Sequence, residues 1–235
     1  MPPDSAPRVC LVHAVYPAMA PVHAALAALW PEASRSNIVD DGLPRLLQQQ
    51  GGITPLIRDR FVALARLAAS QADGVLFTCS AFAEAIDHAA GRVEVPVLKP
   101  EAPMLEQAAA SGGRVGMIAT YGPSIASMEA VFGRFAQQLG TSATIESLLV
   151  PGALDATLSG DVALHDRLVA DAVPRLAHCD MILLAHFSTS TALAAAQERT
   201  RQPVLSAPHA AVARLRREVE GRHSTIPEVA RTHAR

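Results

Sequence analysis

Short apolar runs alternate with longer helical patterns along this chain. The runs are VCLVH (9–13), NIVD (37–40), GVLFT (74–78), VPVLK (95–99), RVGMIA (114–119), TIESLLV (144–150), MILLA (181–185) and QPVLS (202–206). Most are nearly continuous in apolar residues, which suits strands buried on both faces. Between them, residues 57–69, 128–139 and 164–176 space apolar positions at three and four, the period of a helix. Thr54-Pro55 reads as an N-cap followed by the first helical position, and Gly140 as a helix stop. Strands separated by helices predict an α/β fold built on parallel sheets. The polar tail after Gly221, with its Arg and His residues, is expected to fray.

The pattern repeats itself. Moved forward by 107 positions, DGVLFTCSAFAEAI falls on DMILLAHFSTSTAL without a gap, and Pro96-Val97-Leu98 falls on Pro203-Val204-Leu205. Moved by 106, RVCLVHAVYPA falls on RVGMIATYGPS, so that Arg8 meets Arg114 and Pro17 meets Pro123. Two offsets one residue apart predict two similar flavodoxin-like lobes with parallel four-stranded sheets. A pseudo-twofold would relate them, with a ligand cleft between their strand C-termini. The lobes are expected at 1–100 plus 207–235 and at 101–206, the last helix crossing back.

Composition narrows the function classes. Half of the 235 residues are hydrophobic and 18% are charged, enough apolar material for a sizeable core. A net charge of −2, no basic block and 4% aromatic residues argue against nucleic acid. No apolar run approaches the ~20 residues that span a bilayer. The start, MPPDSAPR, lacks a basic segment followed by an apolar one, so no signal peptide is expected. Cys10, Cys79 and Cys179 are three, widely spaced and without CxxC, which fits a cytoplasmic thiol protein rather than a disulfide framework or a zinc site. No HxxxH, GxGxxG or GxxxxGK[ST] pattern points to a metal, a dinucleotide or ATP. A homodimer or higher homo-oligomer is compatible with these features.

The candidate chemistry lies where strands end. Cys79, in LFTCSAF, follows an apolar strand at a helix start, where backbone N–H groups and the helix dipole favour a thiolate. The repeat makes His186 its counterpart and sets the two on opposite walls of one cleft, as proton transfer at two faces of a carbon requires. His186 could instead orient Cys79 or hold a carboxylate. Thr78, Ser80, Thr120, Tyr121, Ser124 and Ser188 place hydroxyls near strand ends, suited to a carboxylate or to helix capping. His13 ends the first strand and is a further candidate for ligand contact. Cys10 and Cys179 read as core residues, Asp40-Asp41-Gly42 as a solvated turn, and Glu84 and Asp87 as a solvated helix face.

These residues resemble the aspartate/glutamate racemase superfamily, which also holds hydantoin racemases, maleate isomerases and arylmalonate decarboxylases. The first strand-end cysteine of that group matches Thr78-Cys79-Ser80-Ala81, and the second, from a Gly-Cys-Thr-His type motif, matches Ala185-His186-Phe187-Ser188. The turn Ala119-Thr120-Tyr121-Gly122-Pro123-Ser124 resembles the carboxylate-binding turn of the group. The resemblance spans about residues 8–219. His186 stands where the second cysteine is expected, and arylmalonate decarboxylases keep their single thiol in the other lobe. The resemblance implies a cofactor-independent racemase or isomerase acting α to the carboxylate of a small substrate, with Cys79 and His186 as proton-transfer groups. A one-thiol decarboxylase and a carboxylate-binding protein without turnover are the alternatives.

Overall fold

The computed structural model describes residues 6–225, with side chains to residue 222. Among the described residues, eight strands form two all-parallel sheets. The first comprises β1 (Arg8–His13), β2 (Ser34–Val39), β3 (Gly74–Phe77) and β4 (Val97–Leu98), in the order β2-β1-β3-β4. The second comprises β5 (Arg114–Ala119), β6 (Thr144–Leu149), β7 (Met181–Leu184) and β8 (Val204–Ser206), in the order β6-β5-β7-β8. In chain order the helices are α1 (Met19–Leu29), α2 (Leu43–Gln50), α3 (Pro55–Ala69), α4 (Ala83–Ala90), α5 (Ala102–Ala110), α6 (Ile125–Leu139), α7 (Ala153–Ser159), α8 (Val162–Ala172), α9 (Leu193–Gln197) and α10 (Ala207–Thr225).

The two sheets pair their strands in the same register. Val9 sits opposite Gly74 and Val115 opposite Met181, while Val75 sits opposite Val97 and Ile182 opposite Val204. Even the entry to the central strands repeats. The Arg8 N–H donates to Asp73 Oδ2 at 2.8 Å, and the Arg114 N–H to Asp180 Oδ2 at 2.7 Å. Each pair ties the first residue of one central strand to the turn before its neighbour.

The apolar runs end up where continuous hydrophobicity requires. Val9 to Val12 and Ile182 to Leu184 are buried, because helices cover both sheet faces. The edge strands differ: β2 and β6 alternate between half-buried and exposed residues. That alternation hides the first half of β2, which begins at Ser34, ahead of the apolar run at 37–40. The pattern over 164–176 divides, with α8 ending at Ala172 and a tighter 3-10 turn at Val173–Leu176. Pro174 explains the change, since it has no N–H for the helical ladder. Thr54 and Pro55 open α3 as expected, although the Thr54 side chain makes no capping bond. Gly140 closes α6 at φ 65°, a left-handed conformation natural to glycine. The tail after Gly221 continues α10 to Thr225, and its remainder lies outside the described residues.

Helices at the centre join the lobes. Helix α5 packs on α6, and α10 packs on α1, α5 and β3. One continuous core runs through this seam, with Trp30, Met104, Phe132 and Leu215 among its buried members. Close approach is enabled by Gly74, where a Cβ would stand 2.7 Å from Val219 Cγ2. No helix among the described residues is long and apolar enough to cross a membrane.

Candidate active site

The C-terminal ends of the central strands of both sheets open onto one cleft of about 690 Å³. Strand β3 of the first sheet delivers Thr78, Cys79, Ser80 and Ala81 to its lining, and β7 of the second delivers Ala185, His186, Phe187 and Ser188. The loop after β5 adds Thr120, Tyr121, Pro123 and Ser124. Parallel strands bring this about by ending on the same side, so that every strand-to-helix turn points at the same space. The walls are otherwise mostly apolar, and no Lys or Arg lines them among the described residues.

Cys79 is not poised as a thiolate. A three-residue 3-10 turn, Ser80–Phe82, separates it from α4. Burial pushes the thiol up, against the Ala81 N–H that donates to it, and the charge on Glu101 adds to the rise. The strand-end position was expected to lower this pKa. Desolvation prevails over the short turn's N–H groups. Cys79 therefore rests as a thiol.

His186 is held by hydroxyls. Ser124 spends its proton on the Tyr121 carbonyl at 2.8 Å, so its Oγ accepts from His186 Nε2–H, also at 2.8 Å. That network assigns the lone pair to Nδ1, which faces the Thr120 hydroxyl at 3.5 Å. Burial lowers the imidazole to about 4, so it is neutral at pH 7. The cleft thus holds a protonated thiol and a neutral imidazole.

His13 takes a different place from the one expected. It is 0% exposed and does not line the cleft. Its Nε2–H donates to Asn37 Oδ1 at 3.0 Å, and its Nδ1 accepts from the Thr78 hydroxyl at 2.9 Å. Burial lowers its pKa, which keeps it neutral. His13 thereby braces Thr78 from behind. Asp40 forms a bidentate pair with Arg60 at 2.6 and 2.7 Å, and Asp41 accepts from Tyr16 at 3.2 Å, both away from the cleft.

Of the hydroxyls, Ser80, Tyr121 and Ser188 make no side-chain hydrogen bond among the described residues and line the cleft, free to meet a ligand oxygen. Cys10 and Cys179 are buried in the cores of their lobes. Glu146, His178 and Cys179 lie close enough together to share a metal ion, but none of them lines the cleft.

Two acidic residues enter the cleft beyond those expected. Glu84, read as solvated, lines its mouth and pairs with Arg58. Glu101 is more deeply set: 3% exposed, it caps α5 beside the end of β4, and its Oε2 has no hydrogen-bond partner. Burial raises it to about 7. The signal in the sequence was a glutamate two residues past an apolar strand, in Lys99-Pro100-Glu101, but no repeat marks it because its counterpart is Pro208.

Residues 53–150 match the family model Asp/Glu/Hydantoin racemase. Among solved structures, the chain is similar to glutamate racemase isoform RacE1 from Bacillus anthracis, at 15% identity and a TM-score of 0.68, covering 92% of this chain and 82% of that one. Picrophilus torridus aspartate racemase aligns at 11% identity and a TM-score of 0.66, covering 91% and 94%. The chain has the fold of these two racemases. Arylmalonate decarboxylase shares it too, at 21% identity and a TM-score of 0.60, covering 92% and 93%. No match was found among curated protein sequences. Racemases and a decarboxylase thus share this fold.

Proposed function

We propose that this protein is a cofactor-independent racemase or isomerase of a small carboxylic acid, moving a proton at the carbon next to the carboxylate. The carrying observation is a pair in complementary protonation states lining one cleft from the two sheets: thiol at Cys79, neutral imidazole at His186. Proton exchange with inversion needs one loaded acid and one empty base. His186 takes the α-proton, and its electron pair remains on the substrate as an enediolate. Cys79 delivers its own proton to the other face, leaving a thiolate opposite an imidazolium. In the reverse direction the roles exchange.

Charging His186 at pH 7 costs about 4 kcal/mol, from a pKa of about 4. The enediolate and the thiolate formed in the same event offset that cost, since both are anions in a low-dielectric cleft. Ser80, Tyr121 and Ser188 hold the substrate carboxylate through their uncommitted hydroxyls, with backbone N–H groups at the strand ends completing the anion site. Ser124 and Thr120 fix the imidazole, and His13 fixes Thr78.

A decarboxylase reading is favoured by one feature, the single thiol resting protonated between apolar walls. There the C–C bond to a second carboxylate breaks, carbon dioxide leaves, and the Cys79 proton caps the carbanion, with His186 holding the remaining carboxylate. Incubating the protein in D₂O with chiral amino and hydroxy acids and with malonate-type acids tests both. Deuterium at the α-carbon of the inverted acid, lost in Cys79→Ala, supports the racemase. Inversion or carbon dioxide release that persists in Cys79→Ala sinks both readings.

A further inference from the structure

We propose that Glu101 is the proton reservoir of Cys79, the group that reloads the thiol after it has given its proton away. This rests on the proton-transfer reading above, in either of its forms, because both leave Cys79 as a thiolate. Three observations support it. Glu101 and Cys79 line the same cleft, and the charge of Glu101 acts on the thiol. The Glu101 carboxyl is 3% exposed with an unpartnered Oε2, an arrangement that is costly unless it serves a proton or a ligand. The two lobes also differ at both positions together: where the first has Cys79 and Glu101, the second has His186 and Pro208. The carboxyl accompanies the thiol and is absent opposite the imidazole.

The step is balanced. The carboxylic acid of Glu101 gives its proton to the Cys79 thiolate, forming S–H and leaving a carboxylate, which regains a proton from hydronium in the solvent of the emptied cleft; in the racemase form that is the proton the His186 imidazolium releases there as it returns to neutral. The direction is downhill. Even an ordinary thiol, near ~8.5, lies above a carboxyl at about 7, so the proton settles on sulfur by at least about tenfold. At neutral pH such a carboxyl is close to half-protonated, able both to give and to regain a proton.

The surroundings leave this role to Glu101. Lys99 is engaged with Asp87 of α4 at 2.8 Å, and Glu84 is exposed and paired with Arg58. From α6, Glu129 accepts from Ser147, and Arg134 is exposed. From α10, Arg214 binds Glu106 and Glu218, and His209 bonds the Ser206 hydroxyl. His186 lines the cleft from the second sheet.

Two measurements on Glu101→Gln test the proposal, with Glu101→Asp as the variant that keeps an ionisable carboxyl. The first is alkylation of Cys79 by iodoacetamide against pH without substrate. Removing the negative charge lowers the thiol pKa, and labelling at pH 8 is expected to rise severalfold in Glu101→Gln. The second is α-proton transfer under single and repeated turnover. The first transfer draws on a thiol already loaded and should keep its rate, while later ones slow by at least tenfold and lose the pH dependence near 7. Glu101→Asp should recover part of both. A merely structural role would slow the first transfer equally, and that result overturns the proposal, as does an unchanged steady rate. If the wild type exchanges no α-proton with any acid, the functional reading falls, and the alkylation profile decides alone. A shift in Glu101→Gln then supports the shared proton, and coincident profiles overturn it.

Discussion

Cys79 and His186 occupy the same position, two residues past the ends of β3 and β7, and line one cleft, yet burial acts on them in opposite chemical senses. The same desolvation raises a thiol pKa and lowers that of an imidazole, because it always opposes the charged form. One site thus holds an acid that keeps its proton and a base that stays empty. No Lys or Arg lines the cleft among the described residues; burial is the largest cause of both states.

Cys79 is expected to be the thiol that alkylates first, because Cys10 and Cys179 are buried in the cores. Its labelling should accelerate only as pH passes the ordinary cysteine range, given the raised pKa. Mass spectrometry of iodoacetamide-treated protein from pH 7 to pH 10 measures both. Labelling of Cys79 that is complete and flat by pH 7 contradicts the resting thiol.

Replacing His186 separates the two enzyme readings. His186→Cys recreates the pair of strand-end thiols that the resemblance attributes to racemases, and racemisation should survive or rise. A decarboxylase would keep its rate within about tenfold, about 1.4 kcal/mol, because only Cys79 moves a proton there. Cys79→Ala should abolish either activity. Chiral chromatography and carbon dioxide release, followed on the same variants, distinguish them.

Stability should carry the signature of Glu101. The folded chain holds this proton up to about pH 7, whereas the unfolded chain releases it near the ordinary 4.5. Stability from this group is therefore lost as pH rises across that interval. Glu101→Gln removes the loss, and its advantage over wild type should grow from pH 5 to pH 8 by up to about 3 kcal/mol. Urea unfolding at several pH values reads the difference. An advantage independent of pH would contradict a buried, titrating carboxyl.

The seam between α10 and β3 is expected to be unforgiving. A Cβ on Gly74 would lie 2.7 Å from Val219 Cγ2 and 3.0 Å from Leu215 Cδ1. Gly74→Ala should cost about 1–3 kcal/mol through overpacking. Because Gly74 begins the strand that ends at Cys79, activity should fall with it. Thermal unfolding and alkylation of Cys79 give the two readouts, and an unchanged melting temperature would refute the close packing.

The sequence by itself determined the eight strands, the parallel sheets and the twofold repeat. Continuous apolar runs can be satisfied only by strands covered on both faces, and two copies of one pattern fold alike. It also brought Cys79 and His186 together, because the offset between β3 and β7 is a property of the chain. Less legible were β2, whose alternating half-buried residues carry a weak hydrophobic signal, and the break after α8, where Pro174 interrupts an otherwise helical period. Tertiary structure alone decided the chemistry of the site. Whether a strand-end cysteine is a thiolate depends on how much water the opposite lobe removes, which no local pattern encodes. His13 is a strand-end histidine like any other until Asn37 and Thr78 close over it. Glu101 carries no signal in the sequence repeat, and only the tertiary structure buries it in the same cleft as the thiol, since desolvation belongs to the assembled cleft rather than to any segment.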